Sequence, residues 1–235
     1  MEVSNRATVI LVRHGSTDWN AGRFMTGWAN PALNATGREE ARRAAGRLRV
    51  SGVLPSHVVA SRCDRTVDTA RVILQTLGLP LGVQSSWQLN ERHLGALQGL
   101  DRAAATLIYG RERLREWKRQ PYAIPPLIEY DDPRHSRHDS RYVDVEPRRL
   151  PCAESEVQMR GRILNAWTGE IEPRLAGGAT VLVVGHCHSL RALVTFLEGP
   201  PSRAASCFAS PGDLMIYTRR GQTWNLVPER PSPAR

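Results

Sequence analysis

Several features that mark common classes of protein are missing from this sequence of 235 residues. No long apolar run, signal peptide or lipidation motif appears in it, and we therefore expect no membrane partner. Internal repeats and heptads are absent, so nothing indicates a solenoid or a coiled coil. The few cysteines follow no disulfide or zinc spacing, and we therefore expect a reduced, cytoplasmic protein. They are Cys63, Cys152, Cys187 and Cys207.

Lysine is almost absent, although the chain is basic. Lys118 is the only lysine, and 32 basic against 23 acidic residues give a formal net charge of +9. Such a balance suits an anionic partner, but no RNP-like, zinc-finger or helix-turn-helix pattern accompanies it. The basic runs GREEARRAAGRLR and YGRERLREWKRQ alternate with glutamate at helical spacing, which is typical of solvated faces. We therefore expect an acidic small molecule as partner and no nucleic acid.

Short apolar runs alternate with helical segments along the chain. ATVILV, HVVAS (residues 57–61) and TVLVVGH read as central strands covered on both faces. Periodicity predicts helices over residues 36–50, with T-G-R-E as a capping box, over residues 66–77 and over residues 157–175. This order predicts a three-layer α/β/α sandwich with a largely parallel central sheet. The length and the 41% hydrophobic content fit one domain over residues 1–235.

Two histidines stand at the ends of apolar strands. His14 follows ILVR and precedes Gly15, and His186 closes TVLVVGH. Ligands bind beyond the carboxyl ends of strands in such sheets, and a neutral imidazole is nucleophilic near physiological pH. Arg13 offers a permanent charge that matches phosphate geometry, and the backbone N–H groups after Gly15 suit a small anion nest. One such histidine is more often structural, but the pair indicates phosphoryl transfer through a phosphohistidine.

Two further groups fit that chemistry. In HVVASRCDRTVDTARVIL, Ser61 is a plausible N-cap for a helix whose first turn carries Arg65, so this arginine would lie beside an anion-binding helix end. The alternative is a solvated helix arginine. In LNERHLGALQG, Glu91 is the only carboxylate, and near cations it can serve as general acid and base. As a surface residue it would have no such role.

Taken in order, RHG, S-x-x-x-R, LNER and GH-x-H-S-L-R resemble the histidine phosphatase superfamily, and within it the cofactor-dependent phosphoglycerate mutases. The resemblance runs from Ile10 to about Tyr217. It implies that His14 is the phosphorylated nucleophile, that Arg13 and Arg65 clamp phosphate, and that His186 stabilises the transferring group. Glu91 would donate and accept the proton. Members of the family often form homodimers, although no segment marks an interface.

The resemblance also implies a substrate pocket. Asn20 would bind phosphate, Thr26-Gly27 would line the pocket, and Arg92, Arg102, Lys118 and Arg119 match positions around the substrate's carboxylate and second phosphate. Leu94, Cys187 and His188 occupy further pocket positions. The family's cycle uses 2,3-bisphosphoglycerate as phosphoryl primer. We expect no metal, because arginines at positions 13 and 65 would repel a cation.

The chain departs from the mutase pattern at several positions around the histidines and in the implied substrate pocket. Ser16-Thr17 replaces Glu-Ser, Cys187 and His188 replace glycine and asparagine, Leu94 replaces tyrosine and Lys118 replaces arginine. A leucine cannot replace the tyrosine hydroxyl as a hydrogen-bond partner, which can cost discrimination. Three functions stay open on the sequence: a phosphoglycerate mutase, which is favoured, a phosphatase or phosphotransferase on another small acidic phosphoester, and an inactive phosphate-binding module.

Two segments lack periodicity. Residues 120–154 are rich in proline, arginine, aspartate and histidine, and by resemblance they are the insertion that caps the mutase site. The histidines at 135 and 138 have no fixed ligand spacing, which favours a solvated loop over a metal site. Residues 228–235 form a proline-rich tail where the mutases have a helical one, and the loss of such a lid favours hydrolysis.

Overall fold

The computed structural model describes residues 6–228 of the chain. Within that range six strands form one sheet in the order β3-β2-β4-β1-β5-β6. The first four strands of that order are mutually parallel, and the last two pair antiparallel. Their bounds are β1 Thr8–Arg13, β2 His57–Ser61, β3 Gln84–Ser86, β4 Thr180–Gly185, β5 Leu214–Arg220 and β6 Thr223–Leu226. The predicted, largely parallel α/β/α sheet is confirmed.

Helices cover both faces of this sheet. Their bounds are α1 Asp18–Ala21, α2 Ala35–Ser51, α3 Asp64–Leu77, α4 Arg102–Tyr109, α5 Arg111–Arg119, α6 Glu156–Ala166, α7 Glu172–Leu175 and α8 Cys187–Glu198. Side chains of a strand point alternately to the two faces. Val9 and Leu11 of β1 therefore join the core under α6 and α8, whereas Ile10 and Val12 join the core under α2 and α3.

The register of the sheet places the two histidines together. β1 and β4 are parallel neighbours, with Arg13 opposite Gly185. The next residue of each strand is a histidine, so His14 and His186 leave the sheet side by side. α8 starts directly after His186. The predicted helix over residues 157–175 exists, but a π-helical turn at Trp167–Ile171 divides it into α6 and α7.

Two predicted helix caps are wrong. α2 begins at Ala35 because Asn34 caps it, accepting a hydrogen bond from the Gly37 N–H, so T-G-R-E is not its capping box. α3 begins at Asp64 with Cys63 as N-cap, and Cys63 makes no side-chain cap bond. Ser61 lies before that cap, in β2, where its hydroxyl has partners in the site instead.

Residues 120–154 are ordered by many local bonds. Three short 3₁₀ turns, Ser136–His138, Ser140–Tyr142 and Pro147–Arg149, are linked by extended chain. Tyr142 lies in a small core with Trp28 and accepts a hydrogen bond from the Asn90 amide at 2.8 Å. Asp144 pairs with Arg62, which follows β2. The segment is thus attached to loops around the sheet end, while the single-domain assignment stays a prediction. The tail beyond Pro228 lies outside the described residues.

Candidate active site

The rings of His14 and His186 lie 5.1 Å apart, centroid to centroid, in an edge-on arrangement. Both side chains are buried, and two arginines approach them, Arg13 from the end of β1 and Arg65 from the first turn of α3. The structure therefore brings together four of the five residues predicted to act on phosphate. Glu91, the fifth, lies close enough to influence the charge of both imidazoles.

The protonation of His14 follows from its contacts. Its Nδ1 lies 2.7 Å from the Gly15 carbonyl oxygen, which can only accept, so Nδ1 carries the proton and Nε2 keeps its lone pair. Burial, then the charge of Arg65 and that of Arg13, lower the pKa of His14 from 6.5 to about 3. The imidazole is thus neutral and nucleophilic at Nε2 throughout the physiological range.

Arg65 is fully enclosed, and its charge acts on the His14 ring. Its two terminal groups donate to the carbonyls of Ala29 and Gly27 at 2.8 and 3.0 Å. Arg13 donates to the Phe208 and Ala209 carbonyls. The Nε–H groups of both arginines are buried and have no partner in the described part of the chain. Buried donors are nearly always satisfied, so these two suit an anionic ligand.

His186 is held by two partners. Arg65 donates to its Nδ1 at 3.2 Å, which requires that the proton lie on Nε2, and Nε2 is 2.7 Å from the Ser61 hydroxyl. Burial, Arg65 and His14 together hold the pKa of His186 well below its usual value. Ser61 was predicted as the N-cap of the following helix. It lies instead at the end of β2, with its hydroxyl next to His186.

The backbone anion nest expected after Gly15 is wrong. The Gly15 N–H donates to the Thr69 hydroxyl, the Ser16 N–H to Glu40 and the Thr17 N–H to the Asn20 side chain. Each of these three donors is satisfied, so this stretch of backbone offers no free N–H group to an anion. Glu40 of α2 also accepts a hydrogen bond from the Ser16 hydroxyl. The mutase pattern has a glutamate in place of Ser16, so here α2 supplies a carboxylate next to that position.

Gly15 permits the close approach of α2 to the end of β1. A Cβ at this position would lie 2.3 Å from the Gly37 carbonyl oxygen.

Glu91 and His188 form a pair at the edge of the site. The Glu91 Oε2 lies 3.3 Å from Nδ1 of His188 and 3.2 Å from its backbone N–H, and Oε1 accepts from the Arg92 N–H. Burial alone would raise the pKa of Glu91, but the charge and hydrogen bond of His188 outweigh it and hold that pKa well below its usual value. The carboxylate in turn raises the pKa of His188. His188 therefore faces Glu91.

Arg92 does not point into a pocket. Its guanidinium donates to the carbonyls of Glu154, Trp117 and Ala123 at 2.7–2.8 Å, and the side chain is buried. It thereby anchors the end of α5 and the capping segment to the Glu91 loop. Lys118 and Arg119 lie on that end of α5, and Arg102 begins α4; all three are exposed.

The remaining predicted pocket residues lie on the short helix α1, on loops and at the start of α8. Asn20 accepts from Thr17 through Oδ1, which leaves its amide N–H₂ without a partner in residues 6–228. The Thr26 hydroxyl donates to the Phe24 carbonyl. Gly27, at φ +50°, has Gln98 where a Cβ would lie. Leu94 is half-buried before the turn Gly95–Leu97, and Cys187 is half-buried at the start of α8, where burial raises its thiol pKa.

A cavity of about 270 Å³ lies between the capping segment and the Trp19–Asn30 loop. It adjoins Ala29, whose carbonyl Arg65 binds, but none of the five predicted catalytic side chains lines it. Its walls are Trp19, Trp28, Ala29, Asn30, Gln98, Gly99, Arg134, Ser136, Asp139 and Arg141.

Four polar residues that support the site were not predicted. They are Glu40, Ser61 in its observed role, Thr69 and Ser189, whose hydroxyl accepts from the His186 N–H. Thr69 lies one helical turn after Arg65 on α3. That spacing was the only feature of the sequence that could have indicated its place near the site.

Residues 6–228 contain neither a cluster of metal ligands nor a helix that could span a membrane. Among residues 6–228 no three His, Cys, Asp or Glu side chains are grouped so as to hold a metal ion. His135 contacts the Cys152 thiol and the Arg137 N–H instead. No helix there is both long and apolar enough to cross a bilayer.

The sequence matches the histidine phosphatase superfamily, branch 1, over residues 9–130 and 108–228, and the chain belongs to that superfamily. A 2,3-bisphosphoglycerate-dependent phosphoglycerate mutase of Clavibacter michiganensis subsp. michiganensis is 42% identical over 193 residues, 82% of this chain and 76% of that protein. A phosphoglycerate mutase of Candida albicans is 36% identical over 225 residues, 95% of this chain and 90% of that protein.

Solved structures with the same fold include phosphatases. A mycobacterial glucosyl-3-phosphoglycerate phosphatase in complex with VO3 superposes with a TM-score of 0.68 at 24% identity, covering 94% of this chain and 97% of that one. The alpha-ribazole phosphatase of Shigella flexneri gives a TM-score of 0.66 at 20% identity, covering 94% of each chain. The fold is therefore that of this superfamily.

Proposed function

We propose that the chain transfers phosphoryl groups through a phosphohistidine at His14, and that its reaction is the interconversion of 3-phosphoglycerate and 2-phosphoglycerate. The observation that carries the proposal is the state of His14: Nδ1 is hydrogen-bonded to a carbonyl, and Nε2 is left as a neutral nucleophile under the influence of the charges of Arg65 and Arg13. The mutase relatives at 36–42% identity support the choice of substrate.

In the first step Nε2 of His14 attacks phosphorus, and the bond from phosphorus to the ester oxygen breaks. Positive charge develops on the ring, and the Gly15 carbonyl stabilises it through Nδ1–H. Arg13 and Arg65 bind the phosphoryl oxygens with their buried, unpartnered Nε–H groups. Glu91 delivers a proton to the leaving oxygen. The reverse step returns the phosphoryl group to a hydroxyl of the acceptor.

The two unpartnered Nε–H groups also fit 2,3-bisphosphoglycerate, which as a bound primer would supply the phosphoryl group that first loads His14. Asn20 offers its free amide N–H₂ to the phosphate at His14. Lys118 and Arg119, held near the Glu91 loop by Arg92, are the cations available for the carboxylate and the second phosphate. We propose no metal in this cycle.

A phosphatase acting on another small acidic phosphoester is the second candidate. Two features favour it, and the first is that Glu91 is paired with His188, which replaces the asparagine of the mutase pattern. An acid–base pair beside the phosphohistidine can activate water as readily as a sugar-acid hydroxyl. Leu94, which offers no hydroxyl to a substrate, favours the same candidate.

The test is to incubate the protein with 3-phosphoglycerate, with and without 2,3-bisphosphoglycerate, and to follow 2-phosphoglycerate and free phosphate by phosphorus NMR. We expect 2-phosphoglycerate that depends on the primer, with little free phosphate. Free phosphate alone would establish the phosphatase candidate. The His14→Ala variant should form neither product nor phosphoenzyme, and full activity in it would refute the phosphohistidine mechanism.

A further inference from the structure

The contact between Glu91 and His188 is unusual in its composition. A carboxyl group that must donate a proton is paired with a histidine, through the Nδ1 atom at 3.3 Å and the backbone N–H at 3.2 Å. The two groups differ in access to solvent: the Glu91 side chain is 13% exposed, and that of His188 is 49% exposed. The acid is therefore enclosed, and its partner reaches water.

We propose that His188 is a positioning residue that acts through Glu91: it stores, on Nδ1, the proton that Glu91 delivers to the leaving oxygen. This inference rests on the proposed phosphohistidine at His14. The pair holds one exchangeable proton. In the resting form it lies on the imidazole and the carboxyl is ionised; moving it to Oε2 leaves a neutral imidazole and a carboxylic acid. As the P–O bond breaks, that acid protonates the leaving oxygen and becomes a carboxylate again.

The charges around the pair favour this arrangement. Glu91 raises the pKa of His188 against its burial, and His188 lowers that of Glu91, so the stored proton stays available at higher pH than a carboxylic acid alone would allow. Arg191, one turn further along α8, and Arg92 oppose protonation of His188 and limit the rise. The charged and titratable groups that interact with the pair are Arg92, Arg191, His186, Cys187 and His14.

An asparagine at this position, as in the mutase pattern, can hydrogen-bond a carboxylate but cannot store a proton. A lysine can keep the ion pair, but it holds its proton too tightly near neutral pH. The variants His188→Asn and His188→Lys therefore separate proton storage from simple positioning of Glu91. His57→Asn is the matched control, because His57 is exposed at the start of β2, the end opposite the site.

The measurement is the rate of phosphoenzyme formation in a single turnover, from pH 5 to 9, with two donors. With p-nitrophenyl phosphate the leaving group is nitrophenolate, which needs no proton. With 2,3-bisphosphoglycerate the leaving group is the alkoxide of a monophosphoglycerate, which needs one. Near pH 7.5 we expect both His188 variants to lose roughly 10²-fold with 2,3-bisphosphoglycerate, the lower end of a general-acid contribution, and less than about threefold with p-nitrophenyl phosphate.

The pH profile gives the second readout. With 2,3-bisphosphoglycerate, the fall in rate at alkaline pH should move to lower pH in His188→Asn, and should stay unchanged in His57→Asn. An unmoved profile, or equal losses with both donors, would overturn the proton-storing role and leave His188 a structural residue. If the unaltered chain labels His14 with neither donor, the proposed function fails instead, so the two failures are distinguishable.

Discussion

Arg162 of α6 holds the loop that carries Glu91, and its removal tests how far the site depends on one buried ion pair. Its Nε and Nη2 atoms each bind a carboxylate oxygen of Glu154 at 2.7 Å. The same guanidinium donates to the carbonyls of Gln88, Asn90 and Glu91 at 2.7–3.1 Å. The two side chains of the pair are only 7% and 6% exposed, so water cannot replace either partner.

Replacing Arg162 with methionine keeps apolar volume but leaves the Glu154 carboxylate buried without its cation. Removal of one partner of a buried pair costs about 3–5 kcal/mol in the free energy of unfolding. Arg160→Met is the matched control on the same helix. Arg160 pairs with Glu156 at 2.5 Å, but both side chains are partly exposed, and a pair of that kind contributes about 0–1 kcal/mol.

Urea denaturation at neutral pH measures both variants. A loss of that size should also lower the melting temperature by roughly 6–20 °C, at about 2–4 °C per kcal/mol for a chain of this length. The backbone of Glu91 keeps its bond from the Trp28 indole at 2.6 Å, so we expect a larger effect on stability than on activity at 15 °C. If Arg162→Met came within 1 kcal/mol of Arg160→Met, the pair would not hold this loop.

Two other outcomes follow from the packing and charge around the site. Gly15→Ala should be strongly destabilising in thermal unfolding, because its Cβ would lie 2.3 Å from the Gly37 carbonyl oxygen. The control Gly161→Ala, on an open face of α6, should stabilise by up to about 1 kcal/mol. Equal melting temperatures for the two variants would refute the close contact at Gly15. Burial is the main reason why the pKa of His93 is lowered from 6.5 to about 3. The folded chain therefore binds fewer protons than the unfolded chain between those values, and stability that is present above pH 6.5 is lost as the pH falls towards 3. His93→Asn keeps an acceptor for the Gly95 N–H, and should reduce the slope of stability against pH by about 1.4 kcal/mol per pH unit over pH 4–6; an unchanged slope in urea titrations would contradict the buried neutral state.

The sheet was predictable because its strands are short, apolar and buried on both faces. TVLVVGH ends in His186, and ATVILV is followed by Arg13 and His14. The rule that ligands bind beyond parallel strand ends placed the two histidines in one site. β5 and β6 were not predicted as antiparallel neighbours, since LMIYTRR and TWNL each mix apolar with polar residues and both strands are only partly buried. Helix ends failed where a cap depends on tertiary contacts, as at Asn34 and Cys63.

Side-chain direction was the part that the sequence did not contain. Arg92 matched a substrate-binding position, yet it is turned towards three carbonyls because a buried guanidinium must satisfy its donors. The N–H groups after His14 were expected to bind phosphate, but Thr69 and Glu40 reach them from other helices. Such partners are distant in the chain, so no local pattern announces them. The catalytic and binding roles of the remaining residues stay predictions.

The departures from the mutase pattern are not spread evenly over the site. Arg13, His14, Arg65 and His186, which surround the phosphohistidine, all match the pattern. The changed positions lie mainly on the side of Glu91: His188 pairs with it, Leu94 follows it on the same loop, and the pKa of Cys187 responds to its charge. In the proposed cycle the His14 side loads the phosphoryl group and the Glu91 side handles the leaving and attacking oxygens. On that proposal, the departures bear on which acceptor takes the phosphoryl group rather than on whether transfer occurs. Variants of His188 and Leu94 should therefore shift the ratio of 2-phosphoglycerate to free phosphate while leaving His14 phosphorylation by p-nitrophenyl phosphate nearly unchanged.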